Sequence, residues 1–274
     1  MVVGLADNFY NGPLNVQDKR WATEFSSMYT FDAPFYTCMG NHDYAGSVNA
    51  QETFTTDARW HAGMNYTLTI PEADLSIVFV DSPRACASYM SAPYGDCNEN
   101  CMLQLANISA RGGGMSCTNA TSVPCWESHV EWLNATLAGL TTKWKFVAGH
   151  HPITDEHMPL MAPSLGFHGV QAYLAGHVHN LQHAVATKGT PKPVNYFISG
   201  AGAFGSVAEL EAAAAGLGSG RTHLPRSVSL PGEAAPEFEG NGPGFLSFTI
   251  DGDTAFASFI LYNGTVVYST NFTA

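Results

Sequence analysis

Charge is scarce in this chain, and positive charge is scarcest. Lys and Arg number 11 against 23 Asp and Glu, charged residues make up 12% of the 274, and the net charge is −12 with histidine neutral. Roughly 25% charged is usual for a soluble domain. An acidic surface repels a phosphodiester backbone, which argues against nucleic acid as a partner. Long apolar runs are lacking too. The longest, such as Leu75 to Val80, are strand-sized, far short of the ~20 residues needed to span a bilayer. What is present is core-forming material: 45% hydrophobic and 12% aromatic residues exclude general disorder. No internal repeat and no linker divides the sequence, so residues 1–274 read as a single domain.

Six cysteines and six Asn-x-Ser/Thr acceptors bear on the compartment. Cys86, Cys97, Cys101, Cys117 and Cys125 crowd one region, while Cys38 sits in a strand-like run and reads as a small buried hydrophobe. Cys97 and Cys101 have zinc-like spacing, but Cys117 and Cys125 are too far apart to complete a two-knuckle site. Disulfides are therefore expected ahead of a metal. The acceptors at Asn65, Asn107, Asn119, Asn134, Asn263 and Asn271 point the same way, to an oxidising, secretory or vacuolar setting. No signal peptide precedes Met1, so that setting implies a missing N-terminal portion.

Short apolar runs repeatedly end in glycine followed by polar residues. Phe35 to Met39 leads into "GNHDYAG", Trp144 to Ala148 into "GHHP", Ala172 to Ala175 into "GHVHN", and Asn195 to Ile198 into "SGAGAF". Each reads as a buried strand delivering a loop to the same end of a sheet. Helices are expected between them: Trp21, Phe25 and Met28 share one helical face, as do Val130, Leu133, Leu137 and Leu140. The alternation predicts a layered α/β fold with its site at the strand ends. The C-terminal stretch reads instead as consecutive antiparallel strands turning at Asp251-Gly252 and Asn263-Gly264. Residues 84–126 and 205–243 read as long loops.

Asp7, Tyr10, Asn41, His42, His150, His151, His177 and His179 all fall in turns just after these runs. Oxygen donors mixed with imidazoles suit iron, zinc or manganese, and a carboxylate such as Asp7 can bridge two ions in the arrangement used for phosphoester hydrolysis. Taken singly, His151, His157, His168 and His183 are more simply surface or hydrogen-bonded histidines, and a lone Gly-Asn-His is usually a turn. The joint order carries the signal: Asp-x-x-Tyr, Gly-Asn-His-Asp, Val-x-x-His, then Gly-His-x-His.

"DNFY", "GNHD", "VAGHHP" and "GHVHN" resemble four of the five metal-binding motifs of the purple acid phosphatases, within the calcineurin-like metallophosphoesterases. Similarity to the small, tartrate-resistant type extends to "DKRW", "ISGAGAF" and the final strands. The resemblance implies a four-layer α/β/β/α sandwich. Asp7 would bridge the metals, Tyr10 and His179 would bind Fe(III), and Asn41, His150 and His177 would hold a divalent Fe, Zn or Mn. His42 would face the substrate, and His157 would match a second substrate-facing histidine. The implied activity is acid phosphatase: a trivalent ion keeps bound water deprotonated at acidic pH, and the nucleophile attacks a small phosphate monoester or a phosphoprotein.

Two departures qualify the match. Ala6 stands where the family has glycine, which strains the turn if that position needs positive φ. The family's first motif, with an iron-binding Asp on the first central strand, would lie before Met1, so the chain is expected to be N-terminally truncated. Residues 84–126 occupy the place of a loop that covers the active site; a disulfide-stapled lid and an insertion with no role stay equally open. Two rival functions are a phosphodiesterase or nucleotidase of the same superfamily, and a catalytically impaired fragment lacking the first motif.

Overall fold

The computed structural model describes residues 1–10, 12–85, 123–153, 161–187, 191–202, 236–240 and 242–274. The fold is mixed α/β, with three sheets among the described residues. The chain divides into two compact units: Met1–Tyr66 with Phe79–Ala135, and Thr67–Val78 with Thr136–Ala274.

In the first unit, strands β1 (Val2–Gly4), β2 (Phe35–Thr37) and β3 (Trp60–Ala62) form a parallel sheet in that order. Phe9, Trp21, Phe25, Phe35, Phe54 and Trp60 make its aromatic core. Trp21 lies flat on Phe54 with ring centroids 3.7 Å apart, and Phe9 meets Trp21 edge-on at 5.0 Å. Burying each such ring contributes about 2–3 kcal/mol. Phe9 thereby anchors the turn that carries Asp7 and Tyr10. The expected first helix is a π-helix, Trp21–Ser26, and its wider turn breaks the expected face: Trp21 and Phe25 are buried, but Met28 lies beyond it and is 69% exposed. Helix α1 (Val48–Thr53) is capped by the Ser47 side chain, which accepts from Ala50 N. Helix α2 spans Ser82–Ala85.

The second unit is built on a seven-stranded sheet. Its strands are β4 (Tyr66–Ile70), β5 (Leu75–Phe79), β6 (Trp144–Ala148), β7 (Ala172–Ala175), β8 (Leu181–Ala186), β9 (Val194–Ser199) and β10 (Pro236–Gly240), in the order β10-β8-β9-β7-β6-β5-β4. Strands β6, β7 and β9 run parallel, whereas β8 returns antiparallel beside β9. The third sheet, β11 (Gly244–Asp251), β12 (Thr254–Leu261) and β13 (Val266–Thr273), turns first at Gly252-Asp253, one residue later than expected because Asp251 still pairs with Thr254, and then in the 262–265 loop that holds the expected Asn263-Gly264; Gly252 and Gly264 both take positive φ. Phe146 and Phe197 of the larger sheet each meet Phe248 of the smaller at 5.3 Å. A polar chain crosses this sandwich: His183 Nδ1 pairs with Tyr268 Oη at 2.8 Å, and its Nε2 with Asn195 Oδ1 at 3.1 Å. Helix α3 (Val123–Gly139), which belongs to the first unit as far as Ala135, buries Leu133 and Leu137 as expected, and α4 of the second unit covers Met161–Phe167.

Three expectations are corrected. The strands before the first two motifs and those before the last two belong to different hydrogen-bonded sheets rather than one. The 84–126 loop is bounded by helix on both sides, since α2 reaches Ala85 and α3 begins at Val123. Strand β10 falls inside the expected 205–243 loop and pairs with β8. Cys38 is a buried free thiol, whose protonated form is favoured by burial. Cys86, Cys97, Cys101 and Cys117 lie outside the described residues, as does His157.

Candidate metal centre

The first unit gathers oxygen donors. The turn after β1 forces Ala6 to φ 68° and Asp7 to φ 47°, the left-handed region that costs an L-residue roughly 1–2 kcal/mol. The strain expected from Ala6 in a glycine's place is thus present. In return, Asp7 Oδ1 accepts the backbone N–H of His42 at 3.0 Å. Gly40 is needed here because a Cβ would collide with the Asp7 carboxylate and backbone nitrogen. The Tyr10 ring, 40% exposed, lies 4.2 Å from the His42 ring. Asn41 is buried between them in sequence, so Asp7, Tyr10, Asn41 and His42 share one pair of neighbouring loops.

A residue not assigned a role from sequence holds these loops together. Buried Asp43 accepts from Gly40 N at 2.8 Å, Phe9 N at 3.2 Å, Asn8 N at 3.2 Å and Gln51 Nε2 at 2.9 Å. Both loops therefore close on one carboxylate. Burial, then the neighbouring Asp7 charge, pushes its pKa up to about 7, against the lowering effect of the donated hydrogen bonds. The signal available in sequence was its place as last residue of "GNHD".

The second unit gathers nitrogen donors. Strand β6 ends at Ala148, and Gly149 N donates to Leu174 O at 3.0 Å, which carries the parallel pairing one step past the strand. His150 and His151 follow, both buried. Strand β7 ends at Ala175; Gly176 N donates to His150 O, and two successive tight turns follow, Val178 N to Gly176 O and Asn180 N to Val178 O, each 2.7 Å. His177 inside them has φ 61°. Gly200, after β9, permits the close approach of Val178 O.

This folding brings the His150, His151 and His177 donor atoms within 4.8 Å of one another, with His177 Nδ1 3.2 Å from His150 Nε2. Two nitrogens on one tetrahedral ion, with metal–nitrogen bonds of 2.0–2.1 Å, sit about 3.3 Å apart, so the pair fits a shared metal. His179 follows in the same turn, half-buried. His151, one of the candidate donors in the turns though taken singly more simply a surface or hydrogen-bonded histidine, is buried against the other two. Metal bound at these groups would supply Lewis acidity to a phosphate oxygen.

Comparison with known proteins agrees with this chemistry. The chain is 29% identical over 222 residues to rat tartrate-resistant acid phosphatase type 5, a match covering 74% of this chain and 61% of that one. It is 29% identical over 216 residues to Arabidopsis thaliana purple acid phosphatase 4, covering 73% and 58%. The matches thus take in about three-fifths of each relative's length. Among solved structures, GAP50, the anchor in the inner membrane complex of Plasmodium, matches with TM-score 0.64 and 16% identity over 99% of this chain and 77% of that one. A purple acid phosphatase from yellow lupin seeds matches with TM-score 0.55 and 13% identity, over 99% and 46%. At such identities these two speak to fold alone. The sequence profile of the calcineurin-like phosphoesterases matches residues 1–181, two-thirds of the chain, and the protein belongs to that family.

Proposed function

We propose that this protein hydrolyses phosphate monoesters at acidic pH, as a purple acid phosphatase of the tartrate-resistant type, with residues 1–274 acting as one catalytic domain. The observation that carries this reading is the placement of the Tyr10 phenol beside the His42 imidazole, 4.2 Å between rings, in the loops that also present Asp7 and Asn41. A phenolate is an apt ligand for Fe(III), and it separates this branch from phosphodiesterases and nucleotidases, which lack it.

Asp7, Tyr10 and His179 are assigned to Fe(III), with Asp7 shared. Asn41, His150 and His177 are assigned to a divalent Fe, Zn or Mn. The ions would polarise the phosphoryl oxygens and offset charge as it builds in the transition state. The chain's own share is positioning and proton supply. Asp43 keeps the two oxygen-donor loops in register, and the His42 ring donates an N–H to the phosphate or to the departing alkoxide. His157 is assigned the second substrate-facing role. Small phosphate monoesters and phosphoproteins fit as substrates, and the secretory or vacuolar setting follows from the acceptor sequons. Among the described residues no helix is long and apolar enough to cross a membrane.

The test is turnover of p-nitrophenyl phosphate against its bis-ester by the metal-loaded protein across acidic pH. Faster monoester hydrolysis is expected, together with a tyrosinate-to-iron colour that Tyr10→Phe abolishes. His42→Ala is expected to cut turnover by about 10²-fold or more with metal content unchanged. A preference for the diester, or loss of metal in His42→Ala, overturns the assignment.

A further inference from the structure

We propose that Asn263 and Asn271 carry N-linked glycans, and that these glycans cover the exposed aromatic face of the third sheet. The proposal rests on the secretory reading and states where in the fold that setting leaves its mark.

Strand alternation sorts this sheet into two faces. Phe248 and Phe272 point into the sandwich, where Phe272 meets Trp144 edge-on at 5.9 Å. The outward face carries Ser258 and Ser269, whose hydroxyls bond to each other at 2.9 Å in an exposed position. Phe245, Phe256, Tyr262, Val266 and Val267 of the same sheet and its loop are all exposed. Among the described residues β13 is paired on one side only. Apolar groups gathered beside an unpaired edge invite aggregation unless something covers them.

Both acceptors stand on that surface. Asn271 is exposed and lies directly opposite Phe256 in the β12–β13 register, and opposite residues of an antiparallel pair have Cβ atoms about 4.5–5.5 Å apart. A first sugar on Asn271 therefore begins within reach of the Phe256 ring, which is 47% exposed. The C–H face of an N-acetylhexosamine suits the electron-rich face of such a ring. Thr273, two residues on, is exposed as well, so the hydroxyl the sequon requires shares that face. Asn263 sits in the exposed loop between β12 and β13, beside Tyr262. Its Oδ1 accepts from Thr265 N at 3.0 Å, a turn that draws electron density towards the oxygen and loosens the Nδ2 proton.

Asn65 and Asn134 differ from this pair. Both are half-buried, and Asn65 Oδ1 accepts from Asp81 N at 2.9 Å. An oligosaccharide is too bulky to pack inside a fold, so the finished structure must leave its Asn open. In the reaction, Asn Nδ2 bonds to C1 of an oligosaccharide carried on a lipid diphosphate. The C1–O bond to the diphosphate breaks, the amide gives up one proton to the transferase, and lipid diphosphate leaves.

The experiment secretes residues 1–274 from a eukaryotic host behind a cleavable signal peptide. Glycans are released by an amidase in heavy-oxygen water, and the tagged Asn-to-Asp conversions are mapped by peptide mass. Tags at Asn263 and Asn271 are expected. Absence of tags from both overturns the proposal, whatever the other acceptors carry, and leaves the secretory reading standing. The same mapping on protein from its natural source tests that reading by itself: no tag at any acceptor there shows it to be wrong, and the proposal falls with it. Release of the glycans from the folded protein is expected to raise binding of an apolar dye about twofold or more and to bring on light scattering. Asn271→Gln is expected to act in the same direction, and adding Phe256→Ser to reverse it. Unchanged dye binding after complete release overturns the covering role. Urea unfolding of each variant establishes that the proteins compared are folded.

Discussion

The oxygen-donor loops of the first unit and the imidazole loops of the second solve the same problem by different means. Asp7, Tyr10, Asn41 and His42 sit on loops leaving short strands, and the loops are cross-tied through the side chain of Asp43. His150, His151 and His177 leave longer, buried parallel strands, and backbone-to-backbone bonds such as Gly176 N to His150 O set their spacing. Where sheet register extends to the loop base, backbone pairing starts the loop, and a single side-chain bond, Tyr173 Oη to the His151 carbonyl, adds to it. Where the strands are only three residues long, a buried carboxylate must replace them.

The largest test of that contrast is Asp43→Ala. It leaves buried donors at Gly40, Phe9 and Gln51 without their acceptor, and a loss of about 3–5 kcal/mol is expected in urea unfolding. A loss below about 1 kcal/mol would show that the first unit's loops hold their shape unaided.

Acidity should act on the two units with opposite sign in the metal-free protein. Asp43 has its pKa raised by burial and by Asp7 to about 7, so the folded state holds its proton where the unfolded chain has lost it. Its contribution is full below about pH 4 and disappears as pH rises towards 7, on the order of a few kcal/mol. Buried His183 has its pKa lowered by burial. The unfolded state takes up that proton first, so stability falls as pH drops below about 6.5. Urea midpoints measured from pH 4 to 8 check both: Asp43→Asn should remove the loss seen on raising pH, and His183→Gln the loss seen on lowering it.

Smaller effects sharpen the comparison. Tyr173→Phe removes the bond to the His151 carbonyl and should cost about 1 kcal/mol, read as a fall in the urea midpoint. Smallest is Ala6→Gly, which relieves the positive φ but loosens the unfolded chain. A net gain of about 0.5–1 kcal/mol is expected, since the strain in Ala6 exceeds the entropic cost of glycine. An unchanged midpoint would mean that the turn pays for no strain at that residue.

Much of the second unit was legible beforehand. Strands β6 and β7 end where their apolar runs meet glycine, and both C-terminal hairpin loops carry the expected glycine, although the first turns at Gly252-Asp253 rather than at Asp251-Gly252. The reason is local: a buried parallel strand needs a continuous apolar run, and a two-residue turn needs residues that tolerate positive φ. Strand β10 was not legible, because its short "PEFEG" run gains its identity only by pairing with β8. Met28 was misread because a π-helix and an α-helix begin with the same apolar spacing.

By itself the sequence determined the order of the Asp, Tyr, Asn and His motifs, the apolar runs that precede them, and membership in the calcineurin-like phosphoesterase family. Residue type and short-range spacing are chemical facts that need no partner. The tertiary structure alone decided that Asp43 ties two loops separated by thirty-odd residues, that Ala6, Asp7 and His177 take left-handed conformations, and that His151 turns inward to join His150 and His177. Each of those outcomes depends on which distant backbone groups come within hydrogen-bonding distance, and that is settled only when sheet register and core packing are complete.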